Sequence, residues 1–232
     1  MTSTPGLILL YIIFAGIFVV AWLAIGRRYS QADWGPAWLN ALDGWLRLFC
    51  RIWHRLEFHY LDLPESGPAI VVSNHVSGLD PLLMLCSSRR PLRFMVAKEE
   101  YNRLWLKWVL KKAGAISVDR NTRPDKALLK AEEALRRGEV VALFPHGGIL
   151  ERDSDPMRIK KGAVRLAQST GCNIYPIHVD GMKAKGATII PVFLPSKASV
   201  EIKEVLNCRD RQEKDCNDCL AELINNGTRK CA

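Results

Sequence analysis

Residues 1–26 carry no charged side chain, and from Leu7 to Ile25 the chain is an almost unbroken run of Leu, Ile, Val, Phe, Ala and Trp. Such a run matches the ~20 apolar residues that a helix needs to cross the hydrocarbon core of a bilayer. A cleaved signal peptide would carry its basic residues ahead of the apolar stretch, whereas Arg27 and Arg28 follow it here. The reading is therefore a retained membrane anchor. Arginines on its C-terminal side place the rest of the chain on the cytoplasmic side.

Residues 36–56, GPAWLNALDGWLRLFCRIWHR, extend this reading. Trp38, Leu42, Trp45, Leu46, Phe49 and Trp53 recur at spacings of three and four, so they share one side of a helix. Arg47, Arg51 and Arg55 recur every fourth residue on another side. Tryptophans at the interface with arginines toward the head groups describe a helix lying in the membrane surface. The alternative is an amphipathic helix packed on the soluble domain. The expected layout is a membrane anchor and interfacial helix over 1–58, then one α/β domain over 59–232.

The formal charge of +9, from 33 Lys+Arg against 24 Asp+Glu, suits a partner of opposite sign. No nucleic-acid motif is present, and beside a membrane anchor an anionic lipid surface is the simpler partner. Seven cysteines in a chain facing the cytoplasm read as free thiols. Cys208, Cys216, Cys219 and Cys231 cluster near the end, and Cys216 and Cys219 form a C-x-x-C. The second close pair of a zinc site is missing, so this segment reads as a polar tail and no metal is expected.

From about residue 60, short β-rich runs alternate with helical ones. AIVVS (69–73), RFMVA (93–97), AISV (115–118), VVALF (140–144), NIYPI (173–177) and TIIPVF (188–193) read as strands. PLLMLCSS, 99–113, 125–137 and 160–170 read as helices. This alternation predicts an α/β fold, a largely parallel sheet flanked by helices, behind an N-terminal two-helix membrane module. In such sheets, reactive groups gather where strands run out into loops. Asn74-His75, Asp119-Arg120, His146-Gly147-Gly148 and His178 with Asp180 all fall at such points.

NHVSGLD, residues 74–80, separates His75 and Asp80 by five positions. On a continuous helix they would stand about 140° apart, so only a loop turning at Gly78 brings them together. Asp80 precedes Pro81, which suits it to cap a helix. Capping and catalysis are compatible for a carboxylate: one oxygen takes helix amides while the other holds Nδ1–H of His75, leaving Nε2 as a base. No G-x-S-x-G surrounds Ser73 or Ser77, so a serine hydrolase is not indicated.

Four blocks over about residues 69–182 resemble, in order, those of the glycerolipid acyltransferase family, the lysophosphatidic acid acyltransferases and their relatives. NHVSGLD resembles the family's N-H-x-x-x-x-D block, and GAISVDR (114–120) its second block. FPHGG (144–148) stands where the family has F-P-E-G-T-R, and IYPIHVDG (174–181) resembles the last block around Pro176.

The resemblance implies that His75 deprotonates a lysophospholipid hydroxyl, which attacks the thioester of acyl-CoA or acyl-carrier protein, with Asp80 orienting His75. It implies no cofactor. Asn74, Lys98, Arg120, Pro145, His146, Gly147, Gly148, Lys160 and Pro176 would line the substrate site. The acceptor that the resemblance implies is 1-acyl-glycerol-3-phosphate, giving phosphatidic acid. The third block departs from the family: its glutamate, threonine and arginine are replaced by His146, Gly148 and Ile149. Arg152, Arg158, Lys160 and Lys161 lie downstream to replace the lost charge. A phospholipid-remodelling enzyme and an acyltransferase for a non-phosphate lipid therefore stay open. The competing readings are a catalytically silent lipid-binding relative and a metal-dependent hydrolase using His75, His146, His178 and Asp180.

Overall fold

The computed structural model describes residues 4–120, 124–150 and 155–225 of the chain. A seven-stranded sheet has the order β1-β7-β6-β2-β5-β3-β4, built from β1 (Glu57–Phe58), β2 (Ala69–Ser73), β3 (Leu92–Ala97), β4 (Ile116–Val118), β5 (Val140–Leu143), β6 (Ile174–Asp180) and β7 (Ser199–Ile202). All neighbouring pairs are parallel except β6 with β7. The largely parallel α/β fold expected from the alternation is thus present. The central strand β2 is buried along its whole length, as a continuous β-branched run between two parallel neighbours should be.

Side chains alternate between the two faces of the sheet. Ile70 and Val72 pack with α6 (Pro124–Arg136), α7 (Gly162–Thr170) and α9 (Glu213–Asn225). Ala69 and Val71 pack against α3 (Asp80–Ser87) and the end of α2 (Ala37–Trp53). Helix α6 presents Ala127, Ala131, Ala134 and Leu135 at helical spacing, and Gly138, at φ +78°, turns the chain into β5. The 99–113 stretch is split into α4 (Lys98–Tyr101) and α5 (Leu104–Lys112).

Three expectations are corrected here. TIIPVF is not a strand: it ends in a one-turn helix, α8 (Ile190–Phe193), on the surface, and the strand of this region is β7. The C-terminal segment is not a polar tail. Helix α9 buries Cys216, Leu220, Leu223 and Ile224 in the core, where apolar spacing at i, i+4, i+7 and i+8 was masked by the acidic and amide residues between. Cys208 and Cys216 are joined in a disulfide rather than free, while Cys50, Cys86 and Cys172 are free and buried. Cys231 lies outside the described residues.

Helix α1 (Thr4–Tyr29) contains the one segment among the described residues, Gly6–Tyr29, long and apolar enough to cross a membrane. It pairs antiparallel with α2: Trp22 stacks on Trp45, whose indole N–H donates to the Trp22 carbonyl at 3.0 Å. A Cβ on Gly44 would meet the Gly26 carbonyl oxygen at 1.7 Å, so the two backbones touch where both residues are glycine.

The arginine face expected on α2 is only partly there. Arg51 is exposed, but Arg47 is 1% exposed and pairs with buried Asp43 through Nε at 2.8 Å. Its Nη1 and Nη2 also donate to the carbonyls of Cys86 and Ser88, at 2.9 and 2.8 Å. It turns inward because those carbonyls close the end of α3 and need a donor. Periodicity alone cannot distinguish a guanidinium facing lipid head groups from one facing a helix end.

Replacing Arg47 with alanine leaves Asp43 as a buried, unpaired charge, a change that costs about 3–5 kcal/mol. Arg51→Ala removes an exposed contact to Tyr60, worth about 1 kcal/mol or less. Chemical denaturation of the detergent-solubilised protein should therefore separate the two variants clearly. Equal, small losses would return Arg47 to the surface.

Candidate active site

The carboxyl ends of β2, β3, β4, β5 and β6 open on one edge of the sheet, and the chain leaves β2 there through Asn74-His75-Val76-Ser77-Gly78. This loop turns back so that Asp80, the first residue of α3, reaches His75: Nδ1 of the imidazole lies 3.0 Å from Asp80 Oδ2. The same Oδ2 accepts the backbone N–H of Val76 at 2.6 Å and of Ser77 at 2.8 Å. Oδ1 accepts the Ser77 hydroxyl at 2.6 Å.

Asp80 is thus not the helix cap expected from Asp-Pro. No side chain caps α3, and the carboxylate spends its acceptors on the loop before the helix instead. Gly78 allows this: its N–H donates to the Ala187 carbonyl at 3.1 Å, and a Cβ there would collide with the Thr188 carbonyl oxygen at 1.8 Å.

Asp80 is fully buried, while the His75 side chain keeps 16% exposure. The imidazole lies flat on Phe144, ring centroids 4.1 Å apart and planes 17° apart. Its backbone carbonyl accepts the N–H of Leu150 at 2.7 Å, which folds the 144–150 turn across it. With Nδ1–H donated to a carboxylate, Nε2 carries the lone pair. This arrangement can take a proton from a hydroxyl at Nε2 and hold the resulting imidazolium against a buried negative charge. Sequence reasoning noted Ser77 only as a neighbour and overlooked Phe144. The S-x-x-D spacing is the signal that would have found Ser77.

The other predicted residues divide into two groups. Pro145, His146, Gly147 and Gly148 form the turn after β5, and two cations stand over it. A Cβ on Gly147, whose φ is +81°, would lie 2.6 Å from Lys160 Nζ. One on Gly148 would lie 4.0 Å from the Arg120 guanidinium. The Lys160 N–H also donates to the Pro145 carbonyl at 2.9 Å. Lys98, at the end of β3, pairs with Asp119 at 2.8 Å, beside Arg120, and that carboxylate raises its pKa.

Asn74 and Pro176 stand back from this group. The buried Asn74 amide donates to the Val179 carbonyl at 2.9 Å and accepts the Val179 N–H at 2.8 Å, so it ties the β2 loop to β6. Pro176 is a buried sheet residue paired with Val72. Both were expected to line the substrate site; both instead hold its frame. Lys161 turns away to Glu213 at 2.8 Å, Arg158 is exposed, and Arg152 lies outside the described residues.

His146 differs from an ordinary surface histidine. Its Nε2–H points to the Pro156 carbonyl at 3.0 Å, which fixes Nδ1 as the unprotonated nitrogen, and that atom is buried without a partner. Burial pushes its pKa down, the Pro156 carbonyl opposes the shift, and the nearby His75 adds to it. The metal reading finds no support in the geometry. His178 Nδ1 is held by the Ile224 carbonyl of α9 at 2.6 Å, and Asp180 pairs with Lys185 at 2.5 Å. Among the described residues no group of three or more His, Cys, Asp or Glu is placed to hold a metal ion.

Residues 55–180 match the family model described as Acyltransferase. The chain is 29% identical over 119 residues to the 1-acyl-sn-glycerol-3-phosphate acyltransferase of Borreliella burgdorferi, covering 50% of this chain and 47% of that protein. It is 29% identical over 122 residues to the enzyme of the same name from Bacillus subtilis, covering 52% and 59%. A longer match, 28% identical over 177 residues and 74% of this chain, is to the Lyso-ornithine lipid O-acyltransferase of Pseudomonas aeruginosa, of which it covers 65%. The chain thus spans about half to two thirds of the length of these curated relatives. The crystal structure of the 1-acyl-sn-glycerophosphate (LPA) acyltransferase PlsC from Thermotoga maritima has the same fold, with a TM-score of 0.62 at 20% identity over 98% of this chain and 96% of that one. With more than half of its residues inside the family model, and His75 and Asp80 paired as the family's N-H-x-x-x-x-D block implies, this chain belongs to the acyltransferase family.

Proposed function

We propose that the protein is a membrane-bound acyltransferase that moves an acyl chain from the thioester of acyl-CoA or acyl-carrier protein to the hydroxyl of a lysophospholipid. The observation that carries this reading is His75 Nδ1 at 3.0 Å from a fully buried Asp80 carboxylate, with the ring itself still accessible. Nε2 of His75 removes the proton from the acceptor hydroxyl as its oxygen attacks the thioester carbonyl. The C–S bond then breaks, the thiolate leaves, and the imidazolium returns the proton to sulfur. Asp80 stays ionised throughout and stabilises the imidazolium. A base positioned in this way contributes about 10²–10⁴-fold. A thioester is already activated, so the chain needs no nucleophile of its own.

The acceptor favoured by the cations at the turn is 1-acyl-glycerol-3-phosphate, which gives phosphatidic acid. Lys160 stands over Gly147 and Arg120 stands beside Gly148, a pair suited to a phosphate near the reacting hydroxyl. Helix α1 would anchor the protein, and Arg27 and Arg28 at its end would keep the domain on the cytoplasmic side against an anionic leaflet.

One observation favours a second reading. The turn carries neutral His146 with an unpartnered Nδ1, and Ile149, where the family has a glutamate and an arginine. A buried lone pair beside the base suits an acceptor lipid that offers an N–H or O–H, and a relative matched over 74% of this chain is named for a lyso-ornithine lipid. An amino-acid lipid is therefore the alternative acceptor class.

Thiol release from acyl-CoA, measured with a panel of lysolipids on the membrane-reconstituted protein, tests both readings. Loss of a charge-assisted contact costs about 1.5–3 kcal/mol, so Arg120→Ala should raise KM for 1-acyl-glycerol-3-phosphate roughly ten- to a hundredfold and leave KM for the donor unchanged. Activity confined to acceptors without phosphate, and indifferent to Arg120→Ala, would replace the first acceptor with the second. No thiol release from either acyl-CoA or acyl-carrier protein with any lysolipid would overturn the proposed reaction.

Asp80→Asn should keep the fold, since its carbonyl oxygen can still accept the loop N–H groups. It should nonetheless lose about 10²-fold or more in rate, because the amide supplies no counter-charge. Full activity in that variant would reduce Asp80 to a loop fastener.

A further inference from the structure

The turn that follows β5 is folded across the base. Phe144 stacks on the His75 ring, and the Leu150 N–H donates to the His75 carbonyl at 2.7 Å. His146 lies between these two contacts in the chain, close enough that the charge of His75 acts on it. Such an interaction is mutual, so whatever charge position 146 carries also acts on His75.

Two features hold the His146 ring uncharged. Its Nε2–H donates to the Pro156 carbonyl at 3.0 Å, so a second proton can go only to Nδ1. That atom is buried without a partner, and an N–H there would lack an acceptor. Burial itself pushes the His146 pKa down. The charged groups that the contacts place around the turn come from three other elements. His75, backed by Asp80, faces it from the loop after β2. Arg120, with Lys98 and Asp119 beside it, faces it from the end of β4. Lys160 stands over Gly147, and exposed Asp155 and Arg158 belong to the same segment as Lys160.

The carbonyl that orients His146 is fixed from outside the turn. Asn225, at the end of α9, donates through Nδ2 to the Pro156 carbonyl at 2.5 Å and to that of Ala221 at 2.9 Å. The Asn217 amide of α9 reaches the Ile159 carbonyl at 3.5 Å. Leu220, Leu223 and Ile224 bury the same helix in the core, and the Ile224 carbonyl holds His178 Nδ1 at 2.6 Å. A packed helix, rather than a free loop, therefore sets the acceptor of the His146 N–H. Helix α9 lies outside residues 55–180, the part matched by the family model.

We propose that His146 is a positioning residue acting through His75. Asn225 and Pro156 hold it as one neutral tautomer, so His75 keeps its lone pair at pH values where a carboxylate at position 146 would cause it to take a proton. The electrostatic coupling stands on the geometry of the turn; calling His75 the base rests on the acyltransferase reading above.

The test uses the full chain in detergent micelles, with the histidine nitrogens labelled and both rings followed by NMR over a pH series. At neutral pH, wild-type His146 should be uncharged, with Nε2 protonated and Nδ1 bare. A charged ring, or the proton on Nδ1, overturns the proposal without recourse to any variant. His146→Glu should raise the pH midpoint of His75 protonation by about one unit over wild type, while His146→Gln should leave it within about 0.3. Equal midpoints in all three proteins, or a rise in His146→Gln as large as in His146→Glu, would also overturn it. Asn225→Ala should let the His146 ring populate both tautomers; an unchanged single tautomer removes α9 from the account. None of these readouts needs turnover. Where wild type transfers acyl chains, the acidic limb of kcat/KM in His146→Glu should move up by the same shift of about one pH unit, because the base works only unprotonated. A limb that stays in place while the NMR midpoint moves would strike the role of His75 in the reaction and leave the coupling intact.

Discussion

A single buried carboxylate organises this molecule. Asp80 receives the Val76 and Ser77 N–H groups, the Ser77 hydroxyl and His75 Nδ1, all within 3.0 Å. An ionised carboxylate with no exposure is tolerated only when its lone pairs are filled in this way. Satisfying it fixes the loop after β2, sets where α3 begins and determines the orientation of the imidazole. The hydroxyl and backbone donors hold the charge in place when the histidine is neutral, so the site is formed before any substrate arrives.

The sheet order puts that carboxylate where other groups can reach it. The chain leaves central β2 toward β3 on one side and reaches β6 on the other, the kind of switch point at which open α/β sheets bind ligands. The β5 turn delivers Phe144 under His75 and the two glycines beneath Arg120 and Lys160. The Asn74 amide, bonded to both backbone groups of Val179, keeps β6 in register with the reactive loop. Residues expected to touch substrate thus include two, Asn74 and Pro176, whose work is to hold the frame.

Much of this could be read from the residues. Buried parallel strands announce themselves through β-branched runs such as AIVVS and VVALF, and the pairing of His75 with Asp80 followed from the turn at Gly78. What could not be read depended on partners distant in sequence. TIIPVF has strand composition, but Pro191 and the close approach of Thr188 to Gly78 turn it into a surface helix. Arg47 sits in a surface-helix pattern and is pulled inward by carbonyls of Cys86 and Ser88, some forty positions away. Asp80 has the local signature of a cap, yet the competing donors of Val76, Ser77 and His75 win its oxygens. The C-terminal cysteines were misread because a chain expected to face the cytoplasm argued for free thiols, while Cys208 and Cys216 are brought together by the docking of α9.

The central claim is that Asp80 keeps the proton on Nδ1 of His75 and leaves Nε2 as the base. Nitrogen NMR of the ring, with histidine labelled at both nitrogens and the imidazole neutral, reads this directly. The account predicts a protonated Nδ1, an unprotonated Nε2, and loss of that single-tautomer signature in Asp80→Ala, which removes the acceptor of Nδ1–H. A protonated Nε2 in the wild-type protein would contradict it, because the nitrogen facing the acceptor would then have no lone pair to take its proton.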